Sequence, residues 1–294
     1  MTDMHKPHRD TVFLEQAEVL AHECHAGEQY VLRVRAPQIA ARARAGSFVH
    51  IQCDTQRPLR RPISIMRVDA QAGTVDFLYK VLGDGTRLLS SRCVGEQLSI
   101  LGPIGTGFTA HADRPRALLM GGGVGMPPMV FLADELRRND AFKPFVVLGS
   151  EVPFPFTPRP SQFMVPGVPA HVTAAMPLLE DWGVPSRLAS RQGYAGCLDG
   201  FVTDLARAWL DTLSDAQRNE VEVFACGPHP MLDAVAKLAR DYGLPCQISL
   251  EEFMACGIGG CAGCVVEVRT DSGPAMKRVC VDGPVFDATT VFPG

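Results

Sequence analysis

The 294-residue chain lacks most of the features that assign a protein quickly. It has no excess of positive charge. Its 28 basic and 32 acidic residues give a net charge of -4 in mixed order, so no basic field is present to attract nucleic acid or anionic lipid, and neither partner is expected. Residues 1–10 are polar, with His5, Lys6, His8 and Arg9, and no apolar stretch behind them is long enough for a signal peptide or membrane span; a cytoplasmic address is the expectation. There is no internal repeat or low-complexity tract. Neither a His-Glu-x-x-His metal motif nor a Ser-His-Asp arrangement occurs, which removes the common hydrolase readings. The G-x-G-x-x-G dinucleotide fingerprint is missing as well.

What is present suits two modest domains and a small appendage. With 46% hydrophobic residues the chain can bury a substantial core. Short β-rich runs at 30–35, 48–52, 63–68, 74–82 and 97–101 alternate with Gly, Pro and polar breaks, which predicts an antiparallel β-barrel over 1–112. From Arg116 apolar strands alternate with helix-length segments (117–120, 127–138, 145–148, then 221–225, 230–242, 247–250), which predicts a doubly wound, mostly parallel α/β domain over 113–248. Between these two stretches lies 151–191, rich in proline and aromatics, expected to be a long ordered loop whose apolar residues pack against the protein, with a partner-facing surface as the second reading. Residues 249–294 are left for a small C-terminal domain.

Ten cysteines in a reducing compartment are better read as thiols or metal ligands than as disulfides. Four of them, Cys256, Cys261, Cys264 and Cys280, have the spacing C-x4-C-x2-C-x15-C, and the first three match plant-type ferredoxin spacing. Gly257, Gly259, Gly260 and Gly263 let the backbone wrap and turn amide N–H groups toward sulfur. A [2Fe-2S] cluster is the expectation. A zinc knuckle would use paired C-x2-C hooks, and only one is present. Cys24, Cys53, Cys93, Cys197, Cys226 and Cys246 have no ligand spacing.

Two further sites involve nucleotide chemistry. Arg61-Pro62-Ile63-Ser64 follows a predicted barrel strand, and Leu78-Tyr79-Lys80 with the turn holding Gly85 and Thr86 follows the next strands. An arginine fork, a serine hydroxyl and a Gly-Thr turn supply donors to a phosphate or flavin. Gly121, Gly122, Gly123 and Gly125 join an apolar strand to a helix, where free N–H groups favour a pyrophosphate; Cys226-Gly227-Pro228 makes a second strand-to-helix turn at the same edge of the sheet.

The order of these sites resembles the ferredoxin–NADP reductase superfamily. Within it, 254–259 and 279–287 are similar to the electron-transfer subunits of two-subunit, NAD-linked dihydroorotate dehydrogenases. The resemblance implies FAD on Arg61, Pro62, Ile63, Ser64, Leu78, Tyr79, Lys80, Gly85 and Thr86. It implies the cluster on the four spaced cysteines, NAD on the Gly121–Gly125 turn, and Cys226 as a catalytic-site residue beside nicotinamide and flavin with Gly227 and Pro228. It also implies an oxidoreductase working with an FMN-containing dihydroorotate dehydrogenase catalytic subunit in pyrimidine biosynthesis. Related modules in hydrogenases, sulfide dehydrogenases and ferredoxin–NADP oxidoreductases are the alternative. A redox-sensing or zinc-binding regulator is the alternative outside the oxidoreductases.

Overall fold

A computed structural model describes residues 11–294; the expectation for residues 1–10 lies outside the described residues. The first six strands are β1 (Phe13–His25), β2 (Gln29–Arg35), β3 (Phe48–Ile51), β4 (Arg61–Asp69), β5 (Thr74–Lys80) and β6 (Gln97–Ile104). They close into an antiparallel barrel in the order β1-β2-β5-β4-β3-β6, with α1 (Pro37–Arg42) and α2 (Asp84–Ser90) in its connections. The barrel therefore has one strand more than the β-rich runs indicated. β1 was hidden because much of it is half-exposed and polar, and a register shift between Val19 and Ala21 breaks its alternation.

β3 is buried along its whole length. Val49 and Ile51 belong to the barrel core, whereas Phe48 joins a second core that includes Cys264 and Cys280. The strand alternates normally, and its outer face is covered by the C-terminal segment.

The second unit contains β7 (Arg116–Gly122), α3 (Met126–Leu136), β8 (Phe145–Gly149), the two-residue strands β9 (Arg159–Pro160) and β10 (Ala174–Ala175), α4 (Pro177–Asp181) and β11 (Ser186–Ala189). It continues with α5 (Val202–Leu210), α6 (Asp215–Arg218), β12 (Val221–Cys226), α7 (His229–Tyr242) and β13 (Cys246–Ser249). β11-β8-β7-β12-β13 form a parallel sheet. α3 is buried nearly all round because it lies between this sheet and the barrel. That explains an apolar helix with little amphipathic contrast. α5 and α7 pack together in the other core.

The 151–191 segment does pack against the protein, through Phe154 with Phe156 and Tyr194, and through the Gln29 amide donating to the Pro153 carbonyl at 2.7 Å. The expectation of an unbroken loop is corrected, since the segment contains β9, β10, α4 and the sheet strand β11. β11 is only four residues long, follows Pro185 and carries a buried arginine, Arg187, so neither length nor apolar pattern marked it.

The last strands are β14 (Val265–Thr270) and β15 (Gly273–Arg278), which form a hairpin, and β16 (Val285–Asp287), followed by α8 (Ala288–Val291). β16 returns to the large sheet and pairs antiparallel with β13, Ser249 opposite Val285. Among the described residues no helix is long and apolar enough to cross a membrane.

The barrel wall holds a charge cluster with one buried member. Asp76 on β5 accepts from Arg33 Nε at 2.7 Å and from Arg67 Nε at 3.0 Å, each from a paired neighbouring strand. Asp76→Ala leaves two partly exposed guanidiniums without their partner and should lower stability by about 2 kcal/mol, below the cost at a fully buried pair. Urea unfolding checks this; an unchanged midpoint would remove the cluster from the account of barrel stability.

Candidate functional site

A cleft of about 820 Å3 opens where the barrel, the parallel sheet and the C-terminal segment meet. That size lies within the range of small-molecule and cofactor sites. All nine residues expected at the flavin line it: Arg61, Pro62, Ile63 and Ser64 from β4, Leu78, Tyr79 and Lys80 from β5, and Gly85 and Thr86 at the start of α2. β4 and β5 are paired barrel strands, which brings these separated motifs together.

Local packing explains the residue types. A Cβ on Gly85 would lie 2.5 Å from Arg61 Nε, so the arginine crosses directly over this glycine. The Thr86 hydroxyl accepts from the Leu82 and Gly83 amides at 3.0 and 3.3 Å, shaping the turn itself. Leu59, Leu82 and Phe253 are large exposed apolar side chains on the cleft wall, suited to covering a flat ring system.

The glycines of the nucleotide turn also have physical reasons. A Cβ on Gly125 would stand 2.3 Å from the Cys226 carbonyl oxygen, and one on Gly122 would stand 2.4 Å from Met231 Sδ. The two strand-to-helix turns thus press together at the carboxyl ends of neighbouring strands β7 and β12. Gly123 has φ +55° with open space where its side chain would be. Of this turn only Val124 lines the cleft; Gly121, Gly122, Gly123, Gly125, Gly227 and Pro228 lie outside its wall.

Cys226 is fully buried, and desolvation, with Glu251 nearby, pushes its thiol well up, against a hydrogen bond from Ser249. It is a neutral thiol paired across the sheet with the cleft residue Ser249 and itself outside the cleft wall, unsuited to act as a thiolate nucleophile. Glu251 keeps open surface in the cleft, but the surrounding protein desolvates its carboxyl and raises its pKa. Sequence reasoning missed 249–255 as a cleft wall. No local motif marks it, because its role follows from where β13 ends.

The four spaced cysteines lie within electrostatic reach of one another, Cys256 beside Cys261, and Cys280 beside Cys264 and more weakly Cys256. Cys264 and Cys280 are buried, Cys256 is half-buried and Cys261 is exposed. Burial opposes ionisation of Cys256, but amides of Ile258, Cys261 and Gly260 and the Cys261 side chain bring its thiol down to about 7. Cys280 is pushed up to about 12 by burial and by its Cys264 neighbour. Among the described residues no three His, Cys, Asp or Glu side chains converge as ligands of a single ion. Four neighbouring thiols with amides directed at sulfur are nonetheless the donor set a two-iron cluster takes. The residues present fit that group.

A flavin-type cleft on a closed barrel, a parallel sheet with a glycine turn at its carboxyl edge and a four-cysteine loop define a ferredoxin-reductase-like flavoprotein with an iron–sulfur module. The fold likeness extends to a chain of an NADH-dependent reduced ferredoxin–NADP oxidoreductase, with a TM-score of 0.75 at 24% identity over 94% of this chain and 90% of that one. Phthalate dioxygenase reductase is more distant, with a TM-score of 0.57 at 17% identity over 90% and 76% of the two chains. Residues 251–292 match the iron–sulfur cluster binding domain of dihydroorotate dehydrogenase B. The dihydroorotate dehydrogenase B (NAD(+)) electron transfer subunit of Desulforamulus reducens is 32% identical over 277 residues, 94% of this chain and 97% of that one. Its counterpart in Geobacillus sp. (strain WCH70) is 34% identical over 281 residues, 94% and 98% of the two chains. The chain belongs to the family of dihydroorotate dehydrogenase B electron transfer subunits.

Two substitutions probe the site separately. Gly85→Val should displace the Arg61 guanidinium and cut the FAD retained on purification at least several-fold while iron content stays unchanged. Cys261→Ala should remove the iron while the flavin absorbance stays. Full flavin retention in the first variant, or full iron in the second, would contradict the corresponding assignment.

Proposed function

We propose that this chain receives electrons from an FMN-containing dihydroorotate dehydrogenase catalytic subunit and delivers them to NAD+, using a [2Fe-2S] cluster on Cys256, Cys261, Cys264 and Cys280 and an FAD in the barrel cleft. The division into flavin, nucleotide and cluster modules at 1–112, 113–248 and 249–294 belongs to this reading. One observation carries it. The cleft that gathers the flavin motifs is also walled by Ala255 and Gly263, the neighbours in sequence of Cys256 and Cys264.

FAD exchanges electrons singly with an iron–sulfur group and as a pair with a nicotinamide, which is the chemistry such a subunit needs. This chain's own residues supply the rest. Arg61 and the turn at Gly85 offer donors for a pyrophosphate, and Ser64 and Lys80 offer polar contacts deeper on the barrel strands. The turn from Gly121 to Gly125 offers the opening of α3 to a second pyrophosphate. Ser249 lines the cleft, and Cys226, kept as a neutral thiol beside it on the paired strand β12, adds no charge there. The exposed Cys261 and Ile258 give the cysteine loop an open, partly apolar surface on which a partner subunit would dock. None of the three modules is a (β/α)8 dehydrogenase barrel, which takes roughly 250 residues, so substrate oxidation is assigned to the catalytic-subunit partner that electron transfer subunits of this family serve.

The isolated chain should therefore reduce artificial acceptors with NADH and leave dihydroorotate untouched. Adding an FMN-containing dihydroorotate dehydrogenase subunit should create dihydroorotate-dependent NAD+ reduction that disappears with Cys261→Ala. Turnover of dihydroorotate by the isolated chain, or activation only by a hydrogenase or ferredoxin partner, would overturn the proposal.

A further inference from the structure

His50 is an uncommon residue for a barrel wall. It sits on β3 with no exposed surface, opposite Pro62 of the flavin strand β4 on one side and Leu101 of β6 on the other. Both ring nitrogens, Nδ1 and Nε2, are buried without a hydrogen-bond partner. A buried polar group left unpaired costs on the order of 1–3 kcal/mol, so an orphaned imidazole calls for an explanation.

The ring's surroundings supply one. A Cβ on Gly257 would lie 2.8 Å from His50 Nδ1 and 3.0 Å from Cε1, so the imidazole rests against the backbone immediately after Cys256. Gly257 has φ +68°, and the turn it makes starts the loop that carries Cys261 and Cys264. On the other side, the Arg60 guanidinium donates to the Ser99 carbonyl at 2.7 Å and to the His50 carbonyl at 3.3 Å, pinning the strand. The edge of Phe48 flanks the ring at a centroid distance of 6.3 Å. The side chain is thus fixed between the flavin strand and the cysteine loop, with its polar atoms unused.

We propose that His50 is a positioning residue for the cluster, its imidazole donating a ring N–H to a sulfur of the [2Fe-2S] group held by the loop. The inference rests on the assignment of Cys256, Cys261, Cys264 and Cys280 as ligands. The imidazole carries at least one ring N–H in either protonation state, and no acceptor within the protein takes it. An N–H directed at sulfur stabilises the more negative, reduced form of an iron–sulfur group, so the contact makes the cluster easier to reduce. It also ties the loop to the strand opposite Pro62, fixing the cluster relative to the flavin cleft.

The test uses the full chain carrying FAD and cluster, labelled with histidine enriched in 15N at the ring. Pulsed EPR of the reduced cluster reads any ring-nitrogen coupling, and a dye-mediated titration gives the midpoint potential. Wild type should show the ring 15N coupling. His50→Gln should lose it while keeping an N–H donor and a potential close to wild type. His50→Phe should lose it and shift the potential to more negative values. A wild-type cluster signal without ring coupling, coupling that persists in either variant, or a His50→Phe potential equal to wild type would overturn the proposal. Absence of the reduced-cluster signal and of iron from wild type would instead overturn the ligand assignment, and the proposal with it.

Discussion

The cysteine module is an excursion from the large sheet that leaves and returns at one point. β13 ends at Ser249, β16 begins at Val285, the two residues are paired, and the Leu250 amide donates to the Pro284 carbonyl at 2.9 Å. Everything from 251 to 283 is clamped at its base by this ladder. Only seven residue steps separate Ser249 from Cys256, a reach of at most ~25 Å even fully extended, and along that path the chain lines the flavin cleft. The same junction is fastened to the barrel, where the Thr106 amide donates to the Gly283 carbonyl at 2.6 Å. Flavin cleft and cysteine loop are therefore held close by covalent geometry and strand pairing.

That arrangement gives the four thiols two environments. Cys264 and Cys280 are built into a core that also contains Phe48, Ile104 and Ile248, so their side of the module faces the barrel and sheet. Cys256 and Cys261 lie toward solvent, near the exposed Phe253 and Ile258. Both pairs adjoin the flavin cleft through Ala255 and Gly263, and Cys256 and Cys261 are the more open to solvent. α3 stiffens the frame by filling the space between sheet and barrel, and Glu135 on it accepts from the Ala45 amide at 3.1 Å.

Motifs carried by consecutive residues were legible in the sequence. Arg61 to Ser64, Leu78 to Lys80, the glycine turn and the cysteine spacing could be read because a turn or ligand set imposes its residue types locally. Elements defined by tertiary partners were not legible. β1 is amphipathic over too broken a register, β11 is four residues beside a proline, and 249–255 becomes a cleft wall only because β13 ends there. His50 reads as an ordinary strand residue until the loop around Gly257 is seen against it. Cys226 was legible as a position in the sheet, but its buried, neutral state depends on Ser249 and Glu251, more than twenty residues away.

The central claim is that electrons pass between nicotinamide and the iron–sulfur group only by way of the flavin in the barrel cleft. The most direct measurement starts from chain stripped of FAD but retaining its iron, mixed anaerobically with NADH while cluster absorbance and EPR are followed. The account predicts that the cluster stays oxidised until FAD is added back and is then reduced. Reduction of the cluster by NADH without FAD, or failure to reduce it once FAD is restored, would contradict the account.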